Sequence, residues 1–523
     1  MYSNKENVNI LTALLVEHGV RHAVVCPGSR NSAIVHNLHE CPDIECYPVT
    51  DERSAGFYAL GMSQCLHEPV VVCVTSGTAL LNLAPAVAEA YYQHVPLVVV
   101  SADRPPQWID QLDGQTLPQP DALGRFVKKA VTLPEPHNSE TRWYCNRLVN
   151  EALLETRHHG DGPVHINVPI TEPLFEYTVA ELPEERKIEL IPADMSSHVL
   201  SHVCRMFMQA QRPMLIHGQP MNPGYDEAVC LIGDDESYVP DFVLYIGGAI
   251  VSKRLKHFLR KAKEVWAVNA SGEVYDTFLN LTHVLEGDAE VVVDQIRSFI
   301  EQQPHPFVLK WEKLLKKVSD HAGAYQPAYS QMAAVKYLES KLPLLLERAG
   351  GEAVVHYANS TAIRLANIYA RHYVYCNRGV NGIDGSLSTA AGCSVVSDED
   401  VFCVIGDLSF FYDQNALWNQ NMKGNFRILL LNNGKGGIFN MLKGLEQSPA
   451  RDEYVAASHH TSAQGICQQN NVTYLKATNM EEMQQGIDTL LYIESDRPVL
   501  LEVFTDASED ERVFKDYYHS LKS

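Results

Sequence analysis

Residues 401–439 read VFCVIGDLSFFYDQNALWNQNMKGNFRILLLNNGKGGIF, and two apolar runs in this stretch limit the fold more than any other feature of the chain. Residues 401–405 and 428–431 are short and unbroken rather than alternating, the pattern of strands buried on both faces of a parallel sheet. Residues 408–422 leave room for a crossover helix between them. Such a unit brings both strand ends to one edge of the sheet, where ligands of open α/β sheets collect. Asp407 stands at the first end and Asn433 at the second. A carboxylate and an amide oxygen are hard donors suited to Mg²⁺. The Gly434-Lys435-Gly436-Gly437 turn lets backbone groups approach a ligand closely. A Gly-Asp after a strand is by itself an ordinary turn; the Asn-Asn closing the next strand makes the pair informative.

At 523 residues the chain is long enough for about three domains with cores of their own. The formal charge of −22 argues against nucleic acid or an anionic membrane as partner, since both require clustered cations. An anionic substrate would have to meet a local concentration of Arg. Twelve cysteines without C-x-x-C spacing fit reduced thiols rather than disulfides or a zinc site. The N-terminal MYSNKENVNILTALLVEHGV is an amphipathic pattern interrupted by Glu17 and His18, not a signal sequence, and no apolar run approaches spanning length. A cytoplasmic protein with no integral membrane segment is expected.

The fold class expected is α/β, with three doubly wound parallel-sheet domains. The first, residues 1–185, contains the strand runs HAVVCPG, IECYPVT, PVVVCVTS, PLVVVSAD and PVHINVP, with helical patterns such as 79–94 between them. The Pro- and Glu-rich ELPEERKIELIPADMSS, 181–197, reads as a linker. The second domain, 195–315, carries RPMLIHG, FVLYIGG, EVWAVNA and HVLEGDAE. The third, 325–523, carries AVVHYAN, YVYCNRG, the strands around Asp407 and Asn433, and PVLLEVF.

The Gly-Asp followed by Asn-Asn resembles the motif of thiamine diphosphate (ThDP) enzymes. The resemblance implies pyrimidine-binding, central and diphosphate-binding domains in that order. It also implies a Mg²⁺ ion, replaceable by Mn²⁺, held by Asp407, Asn433 and the carbonyl of Lys435. Gly406, Ser409, Gly436 and Ile438 fall on cofactor-binding positions. Leu408 and Lys435 replace glycines common in the family without removing a ligand oxygen. Glu52, in YPVTDERSAGFYALGMSQ, occupies the place of the Glu that hydrogen-bonds the aminopyrimidine ring and favours the imino tautomer. An Asp-Glu-Arg before a helix is also an ordinary solvated helix start. The run VCVTSGTALLNLAPAVAEAYYQHVPLVVVSADRP, which resembles ThDP pyrimidine domains, favours the cofactor role.

VVCPGSRNSAI, SADRPPQWID, ANSTAIR, NRGVNGIDGSLSTAAG and LLLNNGKGGIF together resemble the ThDP-dependent synthases of menaquinone biosynthesis. That resemblance spans the chain and is weaker in the central domain. It implies decarboxylation of 2-oxoglutarate and 1,4-addition of the resulting carbanion to isochorismate, in a homodimer or homotetramer. Both substrates are dicarboxylates, which the planar fork of Arg binds bidentately. Ser29, Arg30, Arg104, Ser360, Arg364 and Arg378 fall on substrate-binding positions, and Lys253-Arg254 resembles a central-domain pair. Any one of these cations could equally be a surface charge. Arg30 and Arg378, in Gly-containing loops at strand ends, favour function. Ile383 resembles the residue that props the cofactor into its bent shape, with core packing as its other reading. Gln115 matches a Gln that orients substrate oxygens, and its neighbour Gly114 departs from relatives with an amide side chain there.

Two other readings stay open. Another ThDP 2-oxoacid decarboxylase or carboligase, acetolactate synthase-like, would share Glu52, Asp407 and Asn433 and lack the Arg set. A non-catalytic protein of this fold would be expected to have lost the cofactor Glu or the metal Asp, and both are present.

Overall fold

The computed structural model describes residues 1–189, 197–217, 223–302, 305–349, 353–441 and 444–522. Of the expected linker, residues 190–196 lie outside the described residues. Among the described residues fifteen strands form three sheets, and every pairing within a sheet is parallel.

The first sheet contains β1 (His22–Val25), β2 (Glu45–Pro48), β3 (Val70–Val74), β4 (Leu97–Asp103), β5 (Lys129–Thr132) and β6 (Val164–Pro169) in the order β2-β1-β3-β4-β6-β5. The second holds β7 (Pro213–His217), β8 (Phe242–Ile246), β9 (Glu264–Asn269) and β10 (Leu281–Glu286), ordered β10-β9-β8-β7. The third contains β11 (Val354–Tyr357), β12 (Val401–Gly406), β13 (Phe426–Asn432), β14 (Thr473–Ala477) and β15 (Val499–Phe504), ordered β11-β12-β13-β15-β14. The central strands β3, β4, β6 and β13 are buried along their whole length. β3 is apolar throughout, whereas the buried polar side chains Ser101 and Asp103 of β4 and His165 and Asn167 of β6 hydrogen-bond to one another, and Arg427 of β13 donates to the carbonyl of Ile493.

Four local expectations differ from the structure. β5 and β14 are edge strands without a continuous apolar run, so period and hydrophobicity do not mark them. YVYCNRG is not a strand; Tyr375 makes a single parallel bridge to His356, and the segment then turns into a loop. The helix expected over 79–94 divides into Thr78–Asn82 and Ala84–Gln93, with Pro85 in the first turn of the second. The crossover after β12 is a short helix, Asp407–Tyr412, and a 3₁₀ turn, Gln414–Leu417. It breaks at Asp413, whose buried carboxylate accepts the Ser388 N–H at 2.7 Å and its hydroxyl at 2.8 Å.

The first and third sheets share one hydrophobic core through the helices Glu52–Leu66 and Ser386–Val396. A Cβ on Gly61 would overlap the carbonyl of Thr389, and one on Gly392 the carbonyl of Tyr58, so the two backbones touch directly. This contact fixes the N-terminus of the Glu52 helix relative to β12 and β13.

Candidate active site

The strand order places a switch point between β1 and β3, because the chain leaves β1 to one side for β2 and returns to the other for β3. The loop after β1 carries Ser29 and Arg30. Ser29 is exposed, whereas Arg30 is buried and donates from Nη1 to the carbonyl of Ile170 at 2.9 Å, with Glu172 at 3.4 Å from Nη2. Burial, then the charge of Arg104, pulls the Arg30 pKa down, and Glu172 opposes this. Arg104, after β4, donates to the carbonyl of Gly114 at 3.1 Å and lies 3.5 Å from Asp113. Gln115 follows with φ of 55°, its backbone lying against Gly77 beyond β3.

Glu52 opens its helix while Asp51 caps it, accepting the N–H groups of Arg53 at 2.9 Å and Ser54 at 3.3 Å. The neighbours of Glu52 are committed to the third sheet: Asp51 accepts from Asn415 at 2.7 Å and Arg53 donates to the carbonyl of Tyr412 at 2.8 Å. Glu52 instead turns toward Asn82, 3.4 Å from its Oε2, and toward Cys26, whose thiol pKa is raised by burial and then by the Glu52 charge. Asp-Glu-Arg thus holds an ordinary cap, Asp51, beside a carboxylate, Glu52, that turns to Asn82 instead.

At the ends of β12 and β13 the Asp407 carboxylate is buried. Its Oδ1 accepts the Leu408 N–H at 2.7 Å, and its Oδ2 accepts those of Gly434 at 2.8 Å and Asn433 at 3.2 Å. Asn433 donates from Nδ2 to Asp510 at 3.0 Å, which turns its amide oxygen the other way. The Lys435 side chain reaches Asp452 at 3.4 Å and leaves its backbone carbonyl as the contribution to the turn. Gly434 has φ of 76°, and a Cβ there would meet the carbonyl of His459 at 2.8 Å, so glycine is required. Gly436 is held by its N–H on the carbonyl of Ala456 at 2.7 Å, and Ile438 begins its exit, half-buried. His459 stands 3.4 Å from Asp407 with a buried Nε2 that has no hydrogen-bond partner among the described residues. A carboxylate, an amide oxygen and a carbonyl form an oxygen-only donor set of the kind Mg²⁺ takes beside phosphate oxygens, and an unpartnered imidazole N–H suits the same anionic ligand. These residues fit a metal-diphosphate group.

Next to this cradle lies the loop 377–383. Arg378 donates from Nη1 to Asn359 Oδ1 at 2.9 Å, and the Asn359 amide donates to the carbonyls of Asn377 at 2.6 Å and Gly382 at 2.7 Å. Ile383 is 42% exposed, so core packing is not its role, and its carbonyl accepts the Ser409 hydroxyl at 2.5 Å. Ser360 takes φ of 75° at the start of the helix Thr361–Tyr369, a conformation a non-glycine residue holds only when its surroundings enforce it.

Lys253, Arg254 and Arg364 line a cavity of about 1060 Å³ between the second sheet and the C-terminal helix Ala507–Lys522. Burial, then the charge of Arg378, lowers the Arg364 pKa, and the same two causes lower that of Lys256. Arg364 and Arg378 therefore share one cationic region. Arg254 is already paired: it forms an ion pair with Asp226 and lies over the Tyr518 ring at 5.3 Å, while Tyr518 donates to Asp226 at 2.9 Å.

The sequence-derived residues thus gather in two places. Ser29, Arg30, Glu52, Arg104 and Gln115 share the edge of the first sheet. Ser360, Arg364, Arg378, Ile383, Asp407, Ser409, Asn433, Lys435, Gly436 and Ile438 surround the ends of the third, with Lys253 and Arg254 across the cavity. Sequence reasoning missed Asn359, Asp510, His459 and the Asp226–Tyr518 pair, which act on other residues from distant points of the chain. Only Asn359, directly after a strand run, carried a local signal.

A profile described as "Thiamine pyrophosphate enzyme, N-terminal TPP binding domain" matches residues 6–123, and one described as "Thiamine pyrophosphate enzyme, C-terminal TPP binding domain" matches 358–503. The chain is 44% identical to the 2-succinyl-5-enolpyruvyl-6-hydroxy-3-cyclohexene-1-carboxylate synthase of Bacteroides thetaiotaomicron over 100% of both chains. It is 43% identical to that of Phocaeicola vulgatus, again over 100% of both. It is 33% identical to that of Flavobacterium psychrophilum over 96% of both. With full-length identity at this level and both cofactor-domain profiles matched, the chain belongs to the 2-succinyl-5-enolpyruvyl-6-hydroxy-3-cyclohexene-1-carboxylate synthase family of thiamine diphosphate enzymes.

Proposed function

We propose that this chain decarboxylates 2-oxoglutarate and adds the remaining four-carbon unit in a 1,4 sense to isochorismate. The products are 2-succinyl-5-enolpyruvyl-6-hydroxy-3-cyclohexene-1-carboxylate and CO₂, within menaquinone biosynthesis. The observation that carries this reading is the cavity that presents Lys253 and Arg364, adjoining Arg378, with Arg254 beside them paired to Asp226, in a chain of net charge −22. Two dicarboxylate substrates require such a concentration of fixed cations, and a pyruvate-using relative does not.

When bound, ThDP supplies the nucleophilic carbon and the electron sink for loss of CO₂. Asp407, the Asn433 amide oxygen and the Lys435 carbonyl would hold Mg²⁺, or Mn²⁺ in its place, against the diphosphate. Gly406, Ser409, Gly436 and Ile438 would line the cofactor, with Ile383 propping its bend. Glu52 would hold the proton of a hydrogen bond to the ring nitrogen, the role that requires a carboxylate. Ser29, Arg30, Arg104, Gln115, Ser360, Arg364, Arg378, Lys253 and Arg254 would orient the carboxylates. Because Asp51 and Arg53 bind the third sheet of their own chain while Glu52 faces away, we assign Glu52 to the cofactor held by Asp407 of a second copy. The active unit is then a homodimer or homotetramer. Among the described residues no helix is long and apolar enough to cross a membrane, in keeping with a cytoplasmic enzyme.

Incubating the purified chain with ThDP, Mg²⁺, 2-oxoglutarate and isochorismate, and identifying the product by mass spectrometry, tests the reading. The succinyl adduct should form with one CO₂ per turnover. CO₂ release without adduct, or no reaction, would refute it.

A further inference from the structure

The geometry points to Glu89 as a positioning residue for Arg378, an assignment that rests on Arg378 serving the substrates as proposed above. Glu89 lies on the helix Ala84–Gln93 of the first sheet's layer, far in sequence from the loop it touches, and is 3% exposed. Its Oε1 accepts the Gly379 N–H at 2.7 Å and its Oε2 accepts the Val380 N–H at 2.7 Å. Both carboxylate oxygens are therefore spent on consecutive amides of the one loop that carries Arg378 and leads to Ile383. Gln93 adds a 2.6 Å hydrogen bond to Oε1 and is itself held by Gln64 at 2.8 Å, which fixes the carboxylate from behind.

The loop side of the contact is equally specific. A Cβ on Gly379 would approach the Glu89 carbonyl to 2.8 Å and the Tyr92 Cβ to 3.0 Å, so the loop is seated on the helix backbone. From this seat Arg378 reaches Asn359. Burying a carboxylate is costly unless it is fully hydrogen-bonded, and two backbone donors from one short loop give it a fixed height. Glu89 touches neither the proposed cofactor cradle nor the cavity, so its effect on the reaction passes through the loop.

A double-mutant cycle on the ThDP- and Mg²⁺-loaded enzyme tests this, with Glu89→Gln, Arg378→Ala and the double variant. Gln retains one acceptor oxygen and places an amide opposite the other N–H. Glu89→Gln should lower kcat/KM about tenfold for whichever substrate Arg378 serves, with ThDP affinity within about twofold of wild type. In the Arg378→Ala background the same change should cost less than about twofold, because the group being positioned is gone. An equal loss in both backgrounds would make Glu89 a general structural residue and overturn the inference, as would wild-type kinetics in Glu89→Gln while Arg378→Ala is impaired. Wild-type kinetics in Arg378→Ala would instead remove the substrate role of Arg378, and the inference with it. Should Glu89→Gln not fold, Glu89→Asp, which withdraws the carboxylate by one methylene, is read in the same cycle with the same outcomes.

Discussion

The Asp407 carboxylate accepts the backbone N–H of Gly434 at 2.8 Å, across two strand ends 27 residues apart. This one contact joins the proposed metal ligand directly after β12 to the turn that supplies the other two after β13. It also separates two effects of substitution at the site. Asp407→Ala would leave the Leu408 and Asn433 N–H groups without their acceptor, and that of Gly434 with Asn432 Oδ1 at 3.1 Å, as well as remove the charged ligand.

Asp407→Asn retains an acceptor for the turn while removing the charge. Its Mg²⁺ and ThDP affinities should fall together by about 10–100-fold, with a melting temperature near wild type. Calorimetric titration giving wild-type affinity for both would remove Asp407 from the metal site.

Glu52→Gln preserves shape and the Asp51 cap but cannot hold the ring proton as a carboxylate does. Hydrogen–deuterium exchange at C2 of bound ThDP should slow by about 10²-fold or more, the scale of general acid–base catalysis. Unchanged exchange would assign activation to another group.

The cations should divide by their surroundings. Arg364→Ala and Arg378→Ala should each lose about 10²-fold or more in kcat/KM for one substrate, with ThDP binding retained. Arg30 is tied to Ile170 and Glu172 within the chain, so Arg30→Ala should lower the melting temperature as well as kcat/KM. Kinetics with one substrate varied at a time, beside thermal melts, check both statements.

Burial pushes the Asp413 carboxyl from its ordinary 3.8 up to about 7, against the pull of its hydrogen bonds from Ser388. The folded chain therefore keeps a proton that the unfolded chain loses between about pH 4 and 7, and stability falls as pH rises through that window, by up to about 1.4 kcal/mol per pH unit. Asp413→Asn cannot ionise, so its melting temperature should decline less between pH 5 and 7 than that of wild type. An identical decline would show that Asp413 does not set it.

Strands β12 and β13 were legible from the apolar runs 401–405 and 428–431, as strands buried on both faces require, and Asp407 and Asn433 are the residues directly after the two strands. The edge strands β5 and β14 were not, since half-exposed strands need no such run. Ile383 could have been core on sequence and is instead exposed beside Ser409. Arg254 read as a substrate cation, and its pairing with Asp226 and Tyr518 could not be seen, because it depends on the C-terminal helix returning to the second sheet. Glu89 acts through two backbone amides of a loop, and Asn359 through two of that loop's carbonyls and the Arg378 side chain, contacts that the residue types alone do not mark.

The most direct test of the proposed function is the ratio of kcat/KM for 2-oxoglutarate to that for pyruvate, measured by CO₂ release with isochorismate saturating. A cavity that presents Lys253 and Arg364 beside Arg378 should favour 2-oxoglutarate by about 10²-fold or more, the worth of a fixed partner for its second carboxylate. Equal use of the two acids, or a preference for pyruvate, would contradict it.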